Sequence, residues 1–275
     1  MSQDAILKFL KENPSSINFD INKLNDYVYV TNNLFNHAAR KGSSDEQFSL
    51  LLKILNNANS ENPLLGGIIT NLCYRYNEKL EERDFIFPYI YEIKDNYDNV
   101  VDITKPAYSR WLVSSSNTLG TVALMRGEVE RGKKILERGL KIYSLAAHTP
   151  LLYLNLCMMY FQYAMIRFQE GRVNHAASIF EKCYYLSISA INEIYSSRND
   201  YILSMKFDCD RLTKIGLEAL KANSFLLRDK SLFGSRIPKV NVDTNFDVSV
   251  ITARFARPSS SWHKNIEKKI NEVQL

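Results

Sequence analysis

Residues 116–140 read SNTLGTVALMRGEVERGKKILERGL, and residues 160–184 read YFQYAMIRFQEGRVNHAASIFEKCY. Laid over one another at an offset of 44 residues, Gly120 falls on Ala164, Gly127 on Gly171, Gly132 on Ala176, Leu136 on Phe180 and Gly139 on Cys183. Every pairing sets small on small or large apolar on large apolar. Small residues at helical spacing let two helices approach closely, and a large side chain beside them fills the gap between the axes. The chain thus writes one helical hairpin twice.

Outward from this stretch, the apolar spacing predicts helices at about 107–126, 128–147, 151–170 and 172–197, punctuated by Gly127, by His148-Thr149-Pro150 and by Gly171. A fifth begins near Asn199-Asp200 and runs to about Arg228. Upstream, helices are expected from Ala5 to Asn13, from Ile21 to about Arg40, from a cap at Ser44-Asp45-Glu46 through Leu55, and from Pro63 to Leu80. Another carries Pro88 in its first turn and ends near Tyr97, with Asp84 as its cap and residues 98–106 as a connector. After Ser231 the pattern changes: Val240, Val242, Val248, Val250, Ile251 and Phe255 are separated by polar residues and bracketed by Pro238 and Pro258. That predicts an extended, strand-like arm, then a short basic helix from about Trp262 to Val273.

The expected organisation is an all-α domain over 1–230, its best repeats at 110–150 and 151–197, followed by the arm at 231–275. Ten Gly and seven Pro in 275 residues are too few to punctuate a sandwich of many short strands, and 45% hydrophobic residues exclude disorder over most of the chain. The uncharged run Leu151–Ile166 is shorter than a membrane span needs and holds Asn155 and Gln162. It reads as the central helix of a large soluble domain.

The net charge of +5 conceals an asymmetry: 11 Lys+Arg against 15 Asp+Glu in 1–105, 11 against 7 in 106–205, and 13 against 8 in 206–275. This excess is too diffuse for a strong nucleic-acid footprint and leaves weak RNA binding as a minor alternative. The basic helix 126–141 should carry salt bridges from Glu130 to Lys134 and from Glu137 to Lys141. Arg254, Arg257, Lys264, Lys268 and Lys269, interleaved with Phe255 and Trp262, would suit an acidic partner.

Chemistry-bearing motifs are sparse. His37, His148, His175 and His263 are scattered, and no metalloprotease, P-loop, dinucleotide or nucleophile-elbow pattern occurs. Asp208-Cys209-Asp210 sits on a predicted helix, where residues two apart point away from each other, which argues against a metal pair. No catalytic residue, metal or cofactor is expected. Cys73, Cys157, Cys183 and Cys209 form no C-x-x-C pair and read as buried free thiols. Together with a start, Met1-Ser2-Gln3-Asp4-Ala5, that lacks a basic and apolar leader, this leads to an expected cytoplasmic location.

The doubled hairpin resembles the tetratricopeptide repeat. Leu119-Gly120 and Ala176-x-x-x-Phe180 match the family pattern directly, and Tyr163-Ala164 stands where the second Leu-Gly would. Ser116 replaces the first aromatic, Ala123 and Arg167 replace the Tyr, and Ser144 and Ile188 replace the terminal Pro. The period is 44 residues where the family has about 34, so the helices must be longer.

The resemblance implies a right-handed stack of antiparallel helix pairs that binds a protein or peptide along a concave side lined by the first helix of each pair. The matching face would present Ser114, Asn117, Thr118, Thr121 and Leu124 in the first repeat. In the second it would present Met158, Phe161, Gln162, Met165 and Phe168. An apolar stripe at this spacing also suits a core position. The expected function is a non-enzymatic adaptor; the alternative is an α-helical enzyme or small-ligand sensor with a pocket near the aromatic segment 85–111.

Overall fold

The computed structural model describes residues 43–57, 65–76, 84–100, 106–145, 152–198 and 206–226. Eight α-helices are found there: α1 (Ser44–Asn57), α2 (Leu65–Tyr76), α3 (Phe87–Val100), α4 (Pro106–Met125), α5 (Val129–Leu145), α6 (Tyr153–Gln169), α7 (Val173–Ser196) and α8 (Lys206–Leu226). A 3-10 turn, Asp84–Ile86, leads into α3. No strand occurs among the described residues. The helices expected before residue 43 and the arm at 231–275 lie outside them.

The chain divides into two compact units, Met1–Leu119 with Lys141–His148 and Gly120–Leu140 with Thr149–Leu275. In the first, α1 packs on α2 and α2 on α3. Ser43, not Ser44, caps α1. Its Oγ accepts from the Glu46 N–H at 3.3 Å, while Glu46 Oε2 accepts from the Ser43 N–H at 2.6 Å, a reciprocal capping box. Gly66 and Gly67 bring α2 onto the start of α4, because a β-carbon at Gly66 would stand 2.6 Å from the Trp111 carbonyl oxygen. The α3 helix, expected to end near Tyr97, continues to Val100 and buries Phe87, Ile90, Tyr91, Lys94 and Tyr97 on one face.

In the second unit α7 packs against both α6 and α8, and α8 also touches α6. The buried positions of α7 include Ala176, Phe180, Cys183, Ser187, Ala190 and Ile194, spaced alternately four and three apart. Most are small, and at Gly216 of α8 a β-carbon would run into Ser187 Oγ. As expected, α6 is buried on nearly every side.

The two hairpin turns repeat bond for bond. In the first, the N–H groups of Gly127 and Glu128 donate to the carbonyls of Leu124 and Ala123. In the second, those of Gly171 and Arg172 donate to Phe168 and Arg167, 44 residues on in each case. Both are Schellman closures, which need a left-handed residue after the helix. Gly127 and Gly171 supply it with φ of 81° and 76°. The next helix then starts in the same way, with Gly132 donating to Glu128 and Ala176 to Arg172.

Small residues also sit at the crossing of α4 and α5. A β-carbon at Gly120 would lie 2.8 Å from Leu136 Cδ2, and one at Gly132 would lie 2.8 Å from Leu124 Cδ2. Each glycine receives a leucine from the opposite helix.

These two glycine roles predict different costs. At Gly127 and Gly171 a β-carbon meets nothing within 4 Å, so Gly127→Ala should lose only the left-handed backbone penalty, about 1–2 kcal/mol. Gly132→Leu must displace Leu124 and should lose about 1–3 kcal/mol or more. Urea midpoints measure both, and a parent-like midpoint for Gly132→Leu would mean that the crossing is not packed as described.

Candidate functional site

The ten residues expected on the binding faces fall where the helical spacing put them: five along α4 and five along α6. All ten are buried, Ser114 being the most exposed at 8%. Thr118 Oγ1 donates to the Ser114 carbonyl at 3.0 Å, and Leu124 fills the space over Gly132. On α6, Phe161 meets Phe180 of α7 edge to face with ring centroids 5.1 Å apart, and Gln162 Nε2 donates to the Met158 carbonyl at 3.3 Å.

The burial of α4 was not legible in the sequence. Every residue from 111 to 124 is buried, although Ser114, Ser115, Ser116, Asn117, Thr118 and Thr121 are polar. Hydroxyls one turn from a backbone carbonyl satisfy themselves within the helix: Ser115 and Ser116 donate to Leu112 at 3.1 and 2.7 Å. Small side chains bonded in this way can be buried without an outside partner.

Sequence reasoning also missed Lys94. It occupies a buried position of α3 between Ile90 and Tyr97, 2% exposed, and its ammonium binds Asp98, one turn on, and Ser116 Oγ of α4 at 3.1 Å. The signal was present as a lysine on the apolar stripe with an aspartate four residues later. The buried Cys73 thiol of α2 is pushed up by burial, and the Lys94 charge acts in the opposite sense. Although Lys94 and Ser116 are within bonding distance, the Ser116 hydroxyl already donates to Leu112. The pair is therefore not arranged as base and nucleophile, and it acts as a pin between α3 and α4.

A second polar cluster ties α5 to α6. Glu137 Oε1 accepts from Tyr163 Oη at 2.7 Å and from Arg167 Nη2 at 2.9 Å, and Arg167 also donates to Tyr163 and, at 2.7 Å, to Glu170. Lys133 of α5 binds Glu170 as well. The sequence placed the partner of Glu137 on its own helix, but its carboxylate turns to α6; Glu130 meets Lys133, at 4.0 Å. The Tyr163 hydroxyl is pushed up by burial and by its bond to Glu137, although Arg167 opposes this, so it remains a neutral donor.

His175 is exposed, with its ring edge-on to Tyr163 at 6.4 Å. Asp208 is buried and Asp210 exposed, so the D-x-D string is split across α8 as expected. Among the described residues no group of three or more His, Cys, Asp or Glu could hold a metal ion, and no helix is long and apolar enough to cross a membrane. No family model matches the chain, and no curated protein or solved structure matches it.

Two outcomes follow from the charged clusters. Asp98→Asn leaves the Lys94 ammonium buried without its counter-charge and should cost about 3–5 kcal/mol, whereas the double replacement Lys94→Met/Asp98→Leu should lie closer to the parent. Glu170 is held below the ordinary carboxylate value of 4.5 by Lys133 and then by Arg167, against the effect of burial. Its contribution is therefore present above about pH 4.5 and is lost as the pH falls through the lower folded value. The melting difference between parent and Glu170→Gln should accordingly shrink from pH 6 to pH 3, with a ceiling of about 1 kcal/mol for a partly exposed pair.

Proposed function

We propose that the chain is a non-enzymatic adaptor in which a tetratricopeptide-like, right-handed succession of antiparallel helix pairs binds a protein or peptide along the first helix of each pair. The observation that carries this reading is the bond-for-bond recurrence of one hairpin turn at a 44-residue period. Serial repetition of a helical hairpin is the construction by which solenoid proteins build extended recognition faces. The binding residues are the α4 face with Ser114, Asn117, Thr118, Thr121 and Leu124, and the α6 face with Met158, Phe161, Gln162, Met165 and Phe168. Since all ten are covered, a partner gains access by taking the place of the residues that cover them. Methionine suits such a face because its flexible thioether can repack around a new neighbour.

Co-purification followed by titration of the purified partner tests this. Thr118→Val and Gln162→Met keep volume and remove polar atoms, so a loss of affinity of about tenfold or more at unchanged melting temperature supports the faces as binding surface. Unchanged affinity in both variants would contradict it.

A second reading is an α-helical enzyme or small-ligand sensor with a pocket near 85–111; what supports a ligand there is the buried Lys94 charge, for which an anionic metabolite would compete with Asp98. Under that reading a metabolite raises the melting temperature of the parent and not of Lys94→Met.

A further inference from the structure

The four cysteines are all buried and free, yet two of them differ from the others. Cys157 of α6 and Cys183 of α7 meet across one helix crossing. The Cys183 thiol reaches the backbone of the facing residue, with Sγ 3.3 Å from the Cys157 carbonyl oxygen. The Cys157 thiol is pushed up by burial and, after that, by the neighbouring Cys183 thiol. Both residues are fully shielded from solvent. The approach is close because the α7 seam beside them is small: Ala176 and Ala190 lie within two turns on either side, and Ser187 is next to Cys183 on the seam. The pair also joins consecutive helices of one hairpin, so a bond between the sulfurs would close a short loop through the Gly171 turn.

We propose that Cys157 and Cys183 form an oxidation site at which a small disulfide of the glutathione class makes an intrachain disulfide that fastens α6 to α7. One cysteine, as thiolate, attacks a sulfur of the small disulfide and releases one small thiolate, giving a mixed disulfide. The second cysteine, deprotonated in turn, attacks the protein sulfur of that mixed bond. The 157–183 bond forms and the second small thiolate leaves. The two protons lost by the protein end on the two small thiols, so two protein S–H groups are oxidised and one small disulfide is reduced.

Burial decides when this happens. In the closed hairpin Cys157 is held as the thiol by burial and by the neighbouring Cys183 thiol, and no reagent reaches it. Reaction proceeds from molecules in which α6 and α7 have locally parted, and the bond then holds the hairpin once it recloses. The site therefore responds to oxidant and to loosening of the hairpin together.

The test uses the full chain carrying Cys73→Ser and Cys209→Ser, with the same peptide map made on the parent in case the double variant folds poorly. Each is incubated with oxidised glutathione at a urea concentration below the unfolding transition, then alkylated, denatured and mapped by mass spectrometry. The expected product has lost two hydrogens, contains one linked peptide joining Cys157 to Cys183, and melts about 5 °C or more higher until dithiothreitol reverses it. The rate should level off as glutathione disulfide is raised, because opening limits it. Two thiols still free for alkylation in the mapped peptides, or a separate glutathione on each cysteine without the cross-link, would overturn the proposal.

Discussion

The close crossing of α4 and α5 is the contact on which the architecture of the second unit depends. Gly120 faces Leu136 and Gly132 faces Leu124, each pair at a distance that leaves no room for a β-carbon. Such an interlock fixes both the spacing and the axial register of the two helices, because sliding either by one residue puts a side chain where only hydrogen fits. The Schellman turn at Gly127 delivers α5 into that register, and Gly171 delivers α7 in the same way. In the second hairpin alanines stand at the positions of both glycines, Ala164 and Ala176, both fully buried, and the larger Phe180 replaces Leu136 against Phe161.

Polar residues add specificity to this packing. Lys94, Asp98 and Ser116 hold α3 to α4, and Glu137, Tyr163, Arg167 and Glu170 with Lys133 hold α5 to α6. The Lys94 and Asp98 charges are shielded deeply enough to cost free energy unless both partners are in place, so they penalise a shifted helix more than an apolar contact of the same size would, whereas the partly exposed Glu137 cluster contributes less. Asn223 of α8 contributes similarly by donating to the Ala177 carbonyl of α7 at 2.7 Å.

What could be read from the sequence was local and periodic. Gly127 and Gly171 announced their turns because each stands between two apolar-periodic runs, where a helix ends on a left-handed residue, and the boundaries of α4 to α7 followed to within a residue or two. Phe85 to Tyr91 gave a helix despite its unbroken apolar character, because Ile86, Phe87, Ile90 and Tyr91 share a face while Pro88 and Tyr89 do not. The depth of α4 was hidden because Ser and Thr satisfy their hydroxyls on the preceding turn, which no residue count reveals. The pairing of Glu137 was hidden for a related reason: several cations lie within one turn of it on α5, and only the tertiary arrangement shows that the one across the crossing is taken. Lys94 and Cys157 with Cys183 have the same origin, since each acquires its chemistry from a neighbour on another helix.

The claim that two copies of one hairpin follow each other is tested most directly by amide hydrogen exchange on the full chain, resolved residue by residue. The N–H groups of Gly127, Glu128, Gly171 and Arg172 lie in connections between helices but are all bonded to carbonyls of the preceding helix. The account predicts that these four amides exchange as slowly as the helix ends that accept from them, with the same pattern at both turns. Four amides exchanging at the rate of an open loop, or protection at one turn alone, would contradict it.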